Sequence, residues 1–308
     1  MTTAFISHPA CQAHNMGANH PESPSRLQAI ESHFADTGLL DELISITAQP
    51  VENSALLRAH PQSYLTQLQE LSPDKGLVYA DPDTALNRHS LKAAKLAAGA
   101  ATQAVDLVAN GQCQRVFCAV RPPGHHAERN QVMGFCLFNN IAIAALHALN
   151  TGVCERLAIV DFDVHQGNGT VDIFKDDPRV LFCSSFQFPF YPFRYQQLDR
   201  PNIINTPLSE NTGSQLFRKS IEQQWLPALQ NFKPQLVLIS AGFDAHRDDP
   251  LAQLQLVDDD YRWITELIVS VADTYAGGKI VSMLEGGYNL SALARSSFQH
   301  VMTLNSGH

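Results

Sequence analysis

No CxxC pair occurs among the six cysteines, Cys11, Cys113, Cys118, Cys136, Cys154 and Cys183. A cysteine-rich zinc site and a disulfide framework are therefore not expected, and the six read as buried, reduced thiols. Uninterrupted apolar runs of about 18 residues are also missing, which excludes a membrane-spanning helix. The opening MTTAFISHPACQAHN lacks a basic stretch followed by a long apolar one, so no signal peptide is expected and the location is predicted to be cytoplasmic. Positive charge is scarce, with 21 Lys and Arg against 30 Asp and Glu and a net charge of −9. That balance argues against non-specific nucleic-acid binding, whose affinity comes from neutralising phosphates, and is compatible with cationic substrates. No repeat, low-complexity tract or linker interrupts the chain, so its 308 residues are expected to form a single domain.

What is present suits a large buried core, with 44% apolar and 17% charged residues. Short apolar runs predict strands at 3–7, 43–47, 116–120, 157–161, 180–184, 236–240 and 279–284. Helical spacing predicts helices at 24–34, 61–71, 91–109 (capped by Ser90), 137–149, 169–175, 214–231, 258–275 and 290–304. Residues 121–134 and the aromatic, proline-rich 186–201 read as loops. Strands alternating with helices imply a parallel sheet covered on both faces.

The chemistry gathers where strands end. After Leu157-Ala158-Ile159-Val160 comes DFDVHQGNGT, which places Asp161, Asp163 and His165 at the C-terminal end of a buried strand. In open α/β sheets that edge is where ligands bind. An Asp-x-His pair offers a hard oxygen and an imidazole nitrogen to a zinc-like ion, and Gly167 and Gly169 let the backbone approach the site. Three further loops follow apolar strands: Arg121-Pro122-Pro123-Gly124-His125-His126, Ala241-Gly242-Phe243-Asp244 and Glu285-Gly286-Gly287-Tyr288. If the four strands are parallel, the four loops share one edge. Two imidazoles and a phenol beside a metal-type triad supply the parts of amide hydrolysis: a polarising metal, a proton carrier and an oxyanion donor.

RPPGHHA, GFCLFNN, DFDVHQGNG, AGFDAHRDDPL and EGGYNL, in this order, resemble the zinc-dependent histone deacetylase superfamily, nearest its class II branch and the bacterial deacetylase-like amidohydrolases. The resemblance implies the arginase/deacetylase α/β fold, a mostly parallel eight-stranded sheet with helices on both faces, in one domain over residues 1–308. It implies Asp163, His165 and Asp244 as ligands of Zn²⁺, with Fe²⁺ as the alternative ion. It makes His126 the general base and acid, His125 its tandem neighbour paired with Asp161, and Tyr288 the oxyanion donor. Phe135 and Tyr191 would line a narrow tunnel, Gly134 and Gly287 would stand where side chains are excluded, and Leu251 would be a gatekeeper at the mouth. A structural K⁺ would be held by Asp161, Asp163, His165, Ser185 and Phe186, and a remoter one near Phe174, Asp177 and Val180. Arg26 matches an arginine behind the site.

The implied reaction is metal-dependent hydrolysis of acyl-lysine in a peptide or protein, or of a related small acylated amine, with no nucleic-acid or membrane partner and self-association left open. An acetylpolyamine amidohydrolase is the alternative, and a silent acyl-lysine binder a distant one, opposed by Tyr288 and the intact histidine pair. A two-metal ureohydrolase is disfavoured because Gly167 stands where a bridging Asp is needed. One departure from class I enzymes is Asn168 in place of an aspartate facing His126, which class II relatives share. An amide stabilises an imidazolium less than a carboxylate does, so His126 is expected to be less basic than in a His–Asp dyad.

Overall fold

Apolar runs without polar alternation become strands buried on both faces. Residues 2–306 are described by the computed structural model. In chain order its strands are β1 (Thr3–Ser7), β2 (Ile44–Thr47), β3 (Val78–Tyr79), β4 (Ala85–Leu86), β5 (Arg115–Cys118), β6 (Leu157–Asp161), β7 (Val180–Gln187), β8 (Ile203–Leu208), β9 (Val237–Ala241) and β10 (Ile280–Leu284). One eight-stranded sheet runs β2-β1-β5-β10-β9-β6-β7-β8. Every pairing within it is parallel. β5, β6, β9 and β10 are buried along their whole length. Helices surround the sheet: Ser25–Asp36, Leu290–Ser306 and Asp258–Tyr275 pack in sequence, and Ser90–Ala109 packs on Asn140–Asn150.

The four strands expected to carry the chemistry are neighbours at the centre of the sheet, in the order β5-β10-β9-β6. Because they are parallel, their four following loops meet at one edge. This juxtaposition makes the site.

Some boundaries differ from expectation for local reasons. Ser90 opens its helix instead of capping it. Its Oγ accepts the Asn87 N–H at 2.8 Å and pairs with the buried His14 Nδ1 at 2.8 Å. The helix expected from 137 begins at Asn140, after Asn139 Oδ1 accepts the Ala142 N–H at 2.9 Å as a cap. β8 lies at the sheet edge, where Pro207 leaves no ladder bond unmet and polar neighbours mask the strand signal. Asp81-Pro82-Asp83, read as a break, forms the tip of the β3–β4 hairpin.

Candidate active site

Asp161, the last residue of β6, starts a chain of side-chain-to-backbone turns. Its Oδ1 accepts the Asp163 N–H at 3.1 Å, and Asp163 Oδ1 accepts the His165 N–H at 2.9 Å. The loops after β9 and β10 close on this segment through glycines: a Cβ at Gly242 or Gly286 would overlap the Asp163 or Asp244 carboxylate. Gly286 N–H donates to Asp163 Oδ2 at 2.8 Å, and Val164 N–H donates to Asp244 Oδ1 at 2.8 Å. One ligand atom from each of Asp163, His165 and Asp244 lies within 4.8 Å of the other two.

These residues fit a divalent cation. Asp244 Oδ2 is buried without a hydrogen-bond partner; His165 Nδ1 stands 3.2 Å from it but is aligned on Asp163 Oδ1, 3.0 Å away. Two buried carboxylates so close together repel unless a cation lies between them. Burial alone would lower the His165 pKa, but Asp163 and Asp244 outweigh it and push it up to about 10. Two carboxylates and one imidazole, with room on the cavity side, suit Zn²⁺ or Fe²⁺.

The two histidines differ in their surroundings. His125 Nδ1 bonds Asp161 Oδ2 at 2.9 Å. Burial opposes its charging, yet Asp161, Asp163 and Glu285 together hold its pKa well above the usual histidine value. His126 Nδ1 bonds the amide oxygen of Asn168 at 2.7 Å. Burial, then His125 and His165, bring its pKa well below the usual value, and Asp163 and the Asn168 bond are too small a counterweight. The loop carrying both is held by Glu285, whose Oε2 accepts the Gly124 and His125 N–H groups at 2.7 and 3.1 Å. Burial raises the Glu285 pKa to about 7.

A cavity of about 220 Å³ opens above the triad. His126, His165 and Tyr288 face it, and Gly134, Phe135, Tyr191 and Leu251, all singled out in the sequence, line it together with Phe190 and Asp83. Gly134 has φ +55°, and a Cβ there would overlap the His126 ring. Phe135 adopts φ 69°, a left-handed conformation rare for an aromatic residue, and its N–H donates to Thr84 Oγ1 at 3.0 Å. Phe190 stacks on His165 with ring centroids 5.5 Å apart. Gly287, with φ +121°, leads into Tyr288, whose N–H donates to Asp249 Oδ2 at 2.7 Å. Arg26 lies behind: its Nε donates to Gly287 O at 2.7 Å, Nη2 donates to Glu285 O, and its guanidinium sits 5.1 Å from the Tyr288 ring centre.

Ser185 and Phe186 lie on β7, beside the β6 end that carries Asp161, with Asp161 in register with Ser184. The remoter trio is also assembled: the carbonyls of Phe174, Asp177 and Val180 accept from Asn202 Nδ2 at 2.8, 3.1 and 3.1 Å. An amide nitrogen stands at the point where those carbonyls converge.

The sequence did not single out the supporting roles of Glu285, Asp249 and Glu128, or the place of Phe190 in the wall. Glu285 carried a signal, a charged residue directly ending an apolar strand. Phe190 was hidden within a loop of many aromatics.

Comparison with known proteins adds the following. The family description "Histone deacetylase domain" matches residues 20–304. The histone deacetylase-like amidohydrolase of Pseudomonas aeruginosa is 37% identical over 279 residues, covering 88% of this chain and 73% of that protein. The human polyamine deacetylase HDAC10 is 34% identical over 331 residues, covering 99% of this chain but 48% of that protein, so the chain spans about half its length. Among solved structures, the crystal structure of the HDA15 HD domain superposes with a TM-score of 0.92 at 32% identity, covering 99% of this chain and 88% of that one.

Proposed function

The chain belongs to the histone deacetylase family and is a deacetylase-type amidohydrolase, and from that premise we propose that it hydrolyses the amide bond of an acylated lysine side chain. The observation that carries this reading is the buried, unpartnered Asp244 Oδ2 beside Asp163 and His165 at the floor of a narrow cavity faced by His126 and Tyr288. Asp163, His165 and Asp244 would hold the metal that the family requires, Zn²⁺ or Fe²⁺. When bound, that ion supplies Lewis acidity toward a water and the amide carbonyl.

The chain's own groups do the rest. Phe135, Phe190 and Tyr191 wall the cavity and exclude solvent around an alkyl stem, while Gly134, lacking a Cβ, leaves room for the His126 ring. Neutral His126 takes a proton on Nε2 from the attacking water and passes it to the departing amine. His125, charged against Asp161, contributes positive potential and stays in place. The Tyr288 hydroxyl donates to the carbonyl oxygen as negative charge builds there. A structural K⁺ is assigned to Asp161, Asp163, His165, Ser185 and Phe186, on adjoining strand ends.

A second reading, hydrolysis of an acetylated polyamine, draws on Asp83, whose carboxylate lines the same cavity and could meet a remote ammonium. The human relative's name points the same way. Leu251, apolar at the mouth, favours the peptide. One assay tests both: zinc-loaded, metal-analysed protein and its Asp163→Ala and Asp244→Ala variants, offered acetyl-lysine peptide, a longer acyl-lysine peptide and N8-acetylspermidine. The loaded protein is expected to prefer a peptide, and both variants to lose bound metal and turnover together. Turnover by a metal-free variant would overturn the hydrolase mechanism, and a ten-fold preference for acetylspermidine would replace the first reading with the second.

A further inference from the structure

Asn168 can face His126 with either end of its amide, and the two choices give opposite bases. With Oδ1 toward the ring, His126 carries its hydrogen on Nδ1 and keeps a lone pair on Nε2. With Nδ2 toward the ring, Nδ1 must accept, and Nε2 carries the hydrogen and takes no proton. The structure has the first arrangement, at 2.7 Å. What selects it lies behind the asparagine: Nδ2 donates at 2.8 Å to Oε1 of Glu128, a carboxylate that only accepts. His126 O at 3.3 Å and Met133 Sδ at 3.2 Å are further acceptors of the same group, but neutral ones.

Glu128 is itself fixed. It is 5% exposed, its N–H bonds Gln131 O at 3.0 Å, and its other oxygen accepts from Arg194 Nη1 at 2.6 Å. Arg194 belongs to the segment that also supplies Phe190 and Tyr191 to the cavity wall. A buried carboxylate in this place, paired on one oxygen and committed to an amide on the other, has no substrate or metal of its own to bind.

We propose that Glu128 is a positioning residue for proton transfer: acting through the Asn168 amide, it holds His126 in the tautomer whose Nε2 is free to take a proton. Glu128, Asn168 and His126 thus form a relay in which the negative charge stands one residue further from the ring than in a direct His–carboxylate pair. The inference rests on the hydrolase reading above, for which His126 is the base.

The test is a swap of chemistry between the two positions. Glu128→Leu removes the acceptor that orients Asn168 and is expected to lower kcat by about 10- to 100-fold, with KM changed less than about two-fold. Asn168→Asp alone sets two carboxylates against each other and is expected to be similarly impaired. In the double variant N168D/E128Q, the new carboxylate accepts from His126 Nδ1 and from the amide introduced at position 128, so every hydrogen bond has a partner again. Its kcat is expected to recover to within about three-fold of the unmodified enzyme. A residue that merely filled space would show no such reciprocal rescue.

Histidine ring-nitrogen NMR of the folded, zinc-loaded protein supplies a readout independent of turnover, and the near-isosteric double variant N168D/E128Q keeps the test open should Glu128→Leu fold poorly. His126 is expected to carry its hydrogen on Nδ1 in the unmodified protein and to shift toward Nε2 in Glu128→Leu. Failure of the unmodified enzyme to hydrolyse any acylated amine would sink the hydrolase reading and leave the tautomer result standing. An active enzyme whose Glu128→Leu variant keeps both the tautomer and kcat, or whose double variant recovers nothing, would overturn the role of Glu128.

Discussion

Tyr288 is placed by residues that stay outside the cavity. Asp249 Oδ2 takes its backbone N–H at 2.7 Å and that of Asn289 at 3.2 Å, and burial pushes the Asp249 pKa up to about 6. Arg26 pins the carbonyls on either side of the Gly286-Gly287 hinge. The phenol is thus oriented before substrate arrives, the condition for an oxyanion donor to contribute fully. Burial, and next the Asp244 carboxylate, raise its pKa well above the tyrosine norm, so it stays a donor at working pH. Tyr288→Phe keeps the ring and these backbone bonds. It is expected to retain metal and fold while kcat falls by roughly 10²–10³; near-normal kcat in steady-state kinetics would reduce the tyrosine to packing.

At the scale of elements, the cavity mouth joins the β3–β4 hairpin, the segment between β7 and β8, and the loop carrying Leu251. The site's floor was legible in the sequence because each part follows a long apolar strand, and such strands leave a strong imprint. Its mouth was less so. β3 and β4 are two residues each, too short for any periodicity, and the Asp81-Pro82-Asp83 turn that brings Asp83 to the cavity reads as a simple break. Glu128 lies in a loop whose sequence says nothing of which neighbour its carboxylate will meet. Leu251 was legible only through the family resemblance, and the structure puts it in the wall. Leu251→Glu is therefore expected to raise kcat/KM for N8-acetylspermidine more than for a neutral acyl-lysine peptide. A partly shielded ion pair of ~1–3 kcal/mol corresponds to about ten- to a hundred-fold. Parallel kinetics on the two substrates check it, and equal changes for both would remove Leu251 from substrate choice.

Across the whole molecule, His300 joins the C-terminal helix to the sheet. Its ring packs against Phe117, Phe162 and Phe243. Thr265 donates to Tyr261 O and so is left to accept from His300 Nδ1 at 2.6 Å, while Ser282 Oγ meets Nε2 at 2.8 Å. Both ring nitrogens are satisfied in the neutral form, and burial lowers the pKa to about 3. A folded-state value below the unfolded one means that the unfolded chain binds the extra proton. The stabilisation is complete above pH ~6.5 and is lost progressively as pH falls toward 3. Between pH 7 and 5 this one group costs about 2 kcal/mol. His300→Gln, which cannot titrate, is expected to flatten the fall in urea-unfolding stability over that interval by a similar amount; an unchanged slope would show that His300 charges without penalty.

The strand order has a consequence in time as well as in space. β10 is the latest of the strands to be synthesised, yet it lies between β5 and β9 in the middle of the sheet. Before β10 is made, no strand links the β2-β1-β5 group to the β9-β6-β7-β8 group. His125 and His126 hang from one group and Asp163, His165 and Asp244 from the other, while Tyr288 arrives with the joining strand. The parts of the site carried by the two groups of strands are therefore brought together only once β10 has been made.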